Sequence, residues 1–379
     1  MDWTFWLEWF IKAVIMSLII LTGFAYLTLY ERRALARIQT RIGPNRAGPQ
    51  GLLQPIADAV KLIFKEELTP GGADKLMFVL APIVTVVPAI ILAAVIPLGT
   101  QFTLPFVSRP IHLYIADINV GVLYITAIAS IAVYGIVLAG WSSNNKYAML
   151  GGMRSTAQMI SYELALGLCF VVSILLGNSM SLVDIVNAQK AMWFAVLQPV
   201  GALIFMITTL AEVNRAPFDM PEAEQELAAG YHSEYSGMKF ALFFMAEYSK
   251  MIVICMIAAT LFFGGYREFW FLRNTVLSVD QTWWLGPFYL LIKVIVLLFG
   301  MIWVRATWPR IRYDRLMTFG WKVLLPLSIA IVMITAFGIL MADQFGPLYI
   351  WIIPGASLVA GAATTLLVNL SLRRRAAYA

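Results

Sequence analysis

The chain has 379 residues, 61% hydrophobic and 13% charged, with a formal net charge of +6 and a mean hydropathy of +0.80. A soluble domain carries about a quarter charged residues, and no water-facing fold could absorb this much apolar surface. A soluble enzyme is excluded, and lipid is the solvent for most of the chain.

A membrane-spanning helix takes about 20 apolar residues rising 1.5 Å each. Nine such stretches follow one another: 6–30, 76–98, 117–140, 155–177, 193–213, 240–263, 288–305, 323–342 and 348–370. The expected fold is an all-α polytopic integral membrane protein, one domain over 1–379 with nine transmembrane helices. The first stretch lacks the plan of a signal peptide and no small-residue cleavage site follows it, so it is expected to be retained. The loop after it, 31–75, is punctuated by Gly43-Pro44-Asn45, Gly48-Pro49 and Gly51, all turn signals. Within it Leu52, Leu53, Ile56, Val60, Ile63 and Phe64 recur at helical spacing, with Asp58, Lys61 and Lys65 between them. This predicts an amphipathic helix over 52–66, too short and too charged to span, lying in the membrane interface. After the fifth stretch comes a second long loop, 214–239, holding Asp219, Glu222, Glu224, Glu226 and Glu234.

The cations set the orientation. Of 27 Lys and Arg, 20 fall in loops 31–75, 141–154 and 214–239, the 305–322 region and the C-terminal tail, 4 on the other side and 3 within spans. The N-terminus is therefore expected outside and the C-terminus in the cytoplasm, with both long loops cytoplasmic. The pI of about 9.2 needs no nucleic-acid partner; these charges face anionic lipid or partner proteins.

Resident redox chemistry is not expected. Cys169 and Cys255 both lie in apolar runs and are too few for an Fe–S site, which needs about four ligands. His112 and His232 sit outside the spans, which disfavours a membrane haem, and neither GxGxxG after a strand nor GxxxxGK[ST] occurs. No metal, flavin or Fe–S cluster is expected on this chain, and electron carriers would belong to partners.

Acids inside spans cost several kcal/mol and are functional candidates. Glu163 lies about 9 residues, roughly 13 Å, inside the fourth span, and Glu247 reaches similar depth in the sixth. Lys250 follows Glu247 at i+3 on the same helix face, a spacing at which the two could pair. Glu31 and Glu212 close the first and fifth spans near the inner surface, and Asp58 sits on the interfacial helix. Asp117 reads as a helix-start residue at the outer edge. Lys12 and Lys293, near outer ends, are expected to snorkel, and Trp303, Trp308, Trp321 and Trp351 to anchor at the interface. Acids that run from the inner surface to mid-depth suit a proton relay or coupling element better than a full-length pore.

Three stretches carry a resemblance. They are Glu31 to Glu66 (ERRALARIQTRIGPNRAGPQGLLQPIADAVKLIFKE), Ala211 to Tyr235 (AEVNRAPFDMPEAEQELAAGYHSEY) with the following Phe244-Met245-Ala246-Glu247-Tyr248, and Arg305 to Leu316 (RATWPRIRYDRL). With the pattern of spans, they closely resemble the quinone-site membrane subunits of respiratory complex I, the bacterial proton-translocating NADH:quinone oxidoreductase. The resemblance implies that the chain closes one wall of a quinone cavity, with ubiquinone or menaquinone as substrate. It implies a coupling path of Glu31, Asp58, Glu163, Glu212, Glu222, Glu224 and Glu247, with Asp219 and Glu226 in the same loop. Arg32, Arg41, Phe244, Met245 and Arg305 match positions at the quinone cavity. Implied partners are the hydrophilic Fe–S and quinone-site subunits, small membrane subunits and antiporter-like subunits, in the bacterial inner membrane. The membrane subunit of an energy-converting hydrogenase is the near alternative. A secondary transporter, which would show inverted repeats with paired broken helices, is a more distant one.

Overall fold

The computed structural model describes residues 3–102, 110–220, 229–269, 272–273, 275, 277–280 and 282–377. Among these the chain is helical apart from one short antiparallel ribbon, β1 (Gln101–Phe102) paired with β2 (Ile111–His112). Thirteen α-helices are named here in chain order: α1 Trp3–Ile38, α2 Gln54–Ile63, α3 Lys75–Ile91, α4 Gly121–Ser142, α5 Lys146–Gly177, α6 Leu182–Ala188 and α7 Phe194–Leu197. They continue with α8 Pro199–Glu212, α9 Gly237–Phe262, α10 Leu285–Thr307, α11 Tyr313–Phe319, α12 Leu325–Phe345 and α13 Ile352–Ala377.

Eight helical stretches among the described residues are long and apolar enough to cross a membrane, the longest being Trp6–Ile38 and Tyr313–Phe345 at 33 residues each. They overlap eight of the nine expected stretches. The remaining one, 193–213, is broken: α7 and α8 meet at Gln198, and α8 alone has 14 residues. The cause is local. Pro199 opens α8, where its missing N–H is harmless, and it pushes the preceding residue out of the helical region. Gln198 accordingly sits at φ −135°, ψ 70°. Its fully buried side-chain amide donates to Thr335 Oγ1 of α12 at 2.8 Å, which fixes the side chain at the break.

The helix across Tyr313–Phe345 begins ten residues before the expected 323–342. It runs through α11, a π-turn at Gly320–Leu324 and α12 without interruption. Tyr162 Oη of α5 donates to Leu316 O, which also accepts from Gly320 N, at 3.0 Å just before the π-turn. Gly320 lies against the Tyr162 ring; a Cβ would stand 3.2 Å from it.

Helix α5 is the hub, packed on α4, α8 and α12, and α9 packs on α1, α3 and α10. The ends of α5 are set by sequence: Asn145 caps the start by accepting from Tyr147 N at 2.9 Å, and Asn178 ends it in the left-handed region at φ 49°. The core centres on Val253, Cys255, Ala258, Ala259 and Phe262 of α9 with Cys169 of α5 and Phe205 of α8. Small residues let the backbones close. Gly151 of α5 faces Gly230 so tightly that a Cβ would lie 2.6 Å from Gly230 Cα. That contact seats the segment 229–236 on α5.

Helix α2 falls within the amphipathic stretch expected at 52–66. None of its residues is buried, and Ile56, Val60 and Ile63 face outward. It is tied to α1 by Arg32 Nη1 to Asp58 Oδ2 at 2.6 Å.

Candidate functional site

Four acidic side chains converge from separate elements. Glu31, near the inner end of α1, is buried and contacts Arg305 of α10 directly; Arg215 Nη1 lies 3.6 Å away. Arg215, in the connection after α8, also brings Nε to 2.6 Å from Glu247 Oε1 on α9, and its guanidinium lies 4.3 Å from the Tyr248 ring centre. Two carboxylates and two guanidinium groups thus form one charge-balanced cluster, as buried charges require.

Glu212 closes α8 and is 3% exposed. Lys250 Nζ of α9 donates to its Oε1 at 2.7 Å, while Oε2 is buried with no partner among the described residues. Lys250 thus pairs with Glu212 and not with Glu247, the partner its spacing allows. Spacing within one helix permits an i,i+3 pair, but the facing helix offers Lys250 a carboxylate, and Arg215 takes Glu247. The end of α8 is held by fully buried Gln158 of α5, whose amide donates to Ala211 O at 2.9 Å, Asn214 Oδ1 at 3.1 Å and Phe218 O at 2.8 Å.

Glu163 of α5 accepts a hydrogen bond from Ser130 Oγ of α4. A cavity of about 30 Å³ is lined by Glu163, Glu212 and Lys250 among apolar side chains. A second, also about 30 Å³, is lined by Glu212, Glu247, Lys250, Asn214 and Tyr231. A water needs about 10–15 Å³ of such volume and two or more polar partners, so each cavity has room for one or two. The order along the line is Glu31, Arg215, Glu247, cavity, Glu212 with Lys250, cavity, Glu163.

The other expected residues lie elsewhere. Asp58, half-buried on the face of α2 toward α1, is held by Arg32 and Gln54. Asp219 Oδ2 is 3.0 Å from Arg310 Nη2, and Ile311 N donates to Pro217 O at 3.1 Å, so the start of the acidic loop docks on the α10–α11 connection. Glu222, Glu224 and Glu226 lie outside the described residues. Arg41 is exposed and donates to Gln39 Oε1 at 2.9 Å. Phe244 stacks near Phe240, His232 and Tyr248, with half-buried Met245 beside it. Tyr248 meets Phe24 of α1 at 6.2 Å between ring centres, so Phe244, Tyr248, Glu31 and Arg305 share one flank of the molecule.

Outside the spanning helices, burial pushes the His232 imidazole down to about 3, so it is neutral at physiological pH. Lys293 does not snorkel. It is buried and donates to Gly265 O at 2.9 Å and Arg267 O at 2.7 Å, with Trp193 4.8 Å away, because the loop after α9 folds its carbonyls over the ammonium. Lys12 pairs with Glu8 at 2.5 Å on α1.

The NADH dehydrogenase family model matches residues 11–336. The chain belongs to this family. Among its relatives of similar length is an NADH-quinone oxidoreductase subunit of Geobacter sulfurreducens, 50% identical over 325 residues, which cover 86% of this chain and 94% of the relative. An NADH-quinone oxidoreductase subunit of Geobacter metallireducens is 49% identical over 325 residues, with the same coverage. The NADH-ubiquinone oxidoreductase chain 1 of Chondrus crispus is 47% identical over 344 residues, 90% of this chain and all of the relative. The family match reaches past Arg310 and so takes in every residue of the buried line. Arg215 and Lys250 are the site residues that the sequence does not single out in these roles. The first reads only as a loop charge, and the second, by spacing, as a partner of Glu247.

Proposed function

We propose that this family member is the quinone-site membrane subunit of a proton-translocating NADH:quinone oxidoreductase in a bacterial inner membrane, catalytic only within the assembled complex. The observation that carries the reading is the buried line of Glu31, Glu247, Glu212 and Glu163, joined by two water-sized cavities. The names of the Geobacter and Chondrus relatives favour it over a hydrogenase component. In this reading Arg32, Arg41, Phe244, Met245 and Arg305 border the quinone, whether ubiquinone or menaquinone. Electrons arrive from Fe–S centres of hydrophilic partners. Asp58, Asp219, Glu222, Glu224 and Glu226 lead from the cavity to the buried line, which passes the effect to small membrane subunits and antiporter-like subunits. The chain crosses nine times, with α7 and α8 together making the fifth crossing, and α2 lies in the interface beside the quinone entrance. The N-terminus is outside and the C-terminus cytoplasmic.

Quinone reduction takes up two protons. A unit charge gained or lost next to the balanced Glu31–Arg215–Glu247–Arg305 cluster leaves it unbalanced. At an effective dielectric of 20, a unit charge 10 Å away still acts with about 1.7 kcal/mol, enough to shift a neighbouring carboxylate by about one pKa unit. Glu212→Gln and Glu247→Gln test the reading. Each is expected to leave the complex assembled and NADH oxidation by a soluble acceptor intact, while lowering quinone reduction and proton translocation by about tenfold or more. Full coupled activity in either variant would overturn it.

A further inference from the structure

Among the described residues, Lys250 is the one cation of the line that stands between the two cavities. The cavity on the Glu247 side and the cavity on the Glu163 side share only Glu212 and Lys250 among their lining residues. Their ion pair, at 2.7 Å, is therefore the partition between them. Glu163 lies within electrostatic range of Glu212. One oxygen of Glu212 is engaged by Lys250, and the other is buried without a partner among the described residues.

We infer that Lys250 is the gate of the carboxylate line, a positioning residue whose ammonium occupies one oxygen of Glu212 at the partition and bars proton passage until Glu212 is protonated. The inference rests on the reading of the line as a proton path. A fixed cation between two water-sized cavities repels an incoming proton and cancels the charge that would attract one. A proton delivered from the Glu247 side to the free Oε2 of Glu212 neutralises that carboxylate and releases the ammonium. The freed ammonium then has Glu163 as the carboxylate across the second cavity. When Glu212 gives its proton onward through that cavity, it is an anion again and recaptures Lys250. One proton enters, one leaves, and Lys250 keeps its own throughout. The cycle allows one crossing per opening and blocks a continuous leak.

The test uses the whole complex reconstituted in sealed vesicles, with protons translocated per quinone reduced as the readout. Lys250→Met should lower the protons translocated per quinone reduced by half or more, whatever the rate of quinone reduction itself. Lys250→Gln, which retains an amide donor to Glu212 without the charge, should do the same. Lys250→Arg should restore the ratio. A full ratio in either neutral variant overturns the gate. So does failure of both neutral variants to assemble while Lys250→Arg assembles, since the pair is then purely structural. Glu212→Gln separates the two claims. If it pumps normally, the path itself is wrong; if it is inactive while Lys250→Met pumps at the full ratio, only the gate is.

Discussion

Arg215 is placed between two carboxylates that come from helices far apart in sequence, Glu31 and Glu247. Removing one partner of a buried ion pair costs about 3–5 kcal/mol, because a charge is left in low dielectric. Arg215→Met is accordingly expected to lower the thermal stability of the assembled complex strongly, and Glu247→Gln in the same chain to recover part of the loss. Additive losses in that double-mutant cycle would show that the two side chains act independently. At this scale the sequence is informative about which residues matter and weak about which meet. Glu163, Glu212 and Glu247 announce themselves as acids in apolar runs. The partner of Lys250 is not legible because the facing helix, not its own, supplies the nearer carboxylate.

Among elements, the segment 229–236 shows how a polar loop is held against the bundle. Gly151 admits Gly230, Phe78 stacks on Tyr235 with ring centres 4.0 Å apart, and His232 is buried among Tyr231, Phe240 and Phe243. His232 sets a pH dependence for this docking. Its free value is near 6.5 and burial lowers it to about 3. Above about pH 6.5 both forms are neutral and docking is unaffected. As pH falls below that value the undocked segment takes up a proton that the docked one refuses, so docking weakens by up to about 1.4 kcal/mol per pH unit, down to about pH 3. Amide hydrogen exchange over 229–236, corrected for the intrinsic rate, should accelerate between pH 7 and 5 in the parent and not in His232→Phe. Equal pH dependence in the two would remove His232 as the cause. None of this docking is visible in the sequence, where the loop reads as turn residues and acids. The hydropathy pattern, by contrast, locates the long helices to within a few residues at most ends. It fails at Gln198, since a window average does not register one backbone break.

For the molecule as a whole, the asymmetry of Lys and Arg predicts an orientation that labelling can check. Cys169 and Cys255 are both buried, so an introduced thiol can be read against a low background. Tyr147→Cys, exposed at the start of α5, is expected to react with an impermeant maleimide only from the cytoplasmic side, and Leu277→Cys, exposed in the α9–α10 connection, only from the outside. The reverse pattern would invert every loop assignment. The outer helices carry the broadest apolar surface: Trp6, Phe10 and Leu18 on α1, and Val359, Leu366 and Leu367 on α13, are all exposed. Lipid and neighbouring subunits are the surroundings that surface suits.

The break at Gln198 also bears on how the protein is made. A helix of 14 residues reaches about 21 Å, against a hydrocarbon layer of about 30 Å. During synthesis such a stretch is a poor stop for the insertion machinery. Thr335, which accepts from the Gln198 side chain at that break, is translated 137 positions later. The hydrogen bond that holds the Gln198 side chain at the start of α8 can therefore form only after most of the chain has been made.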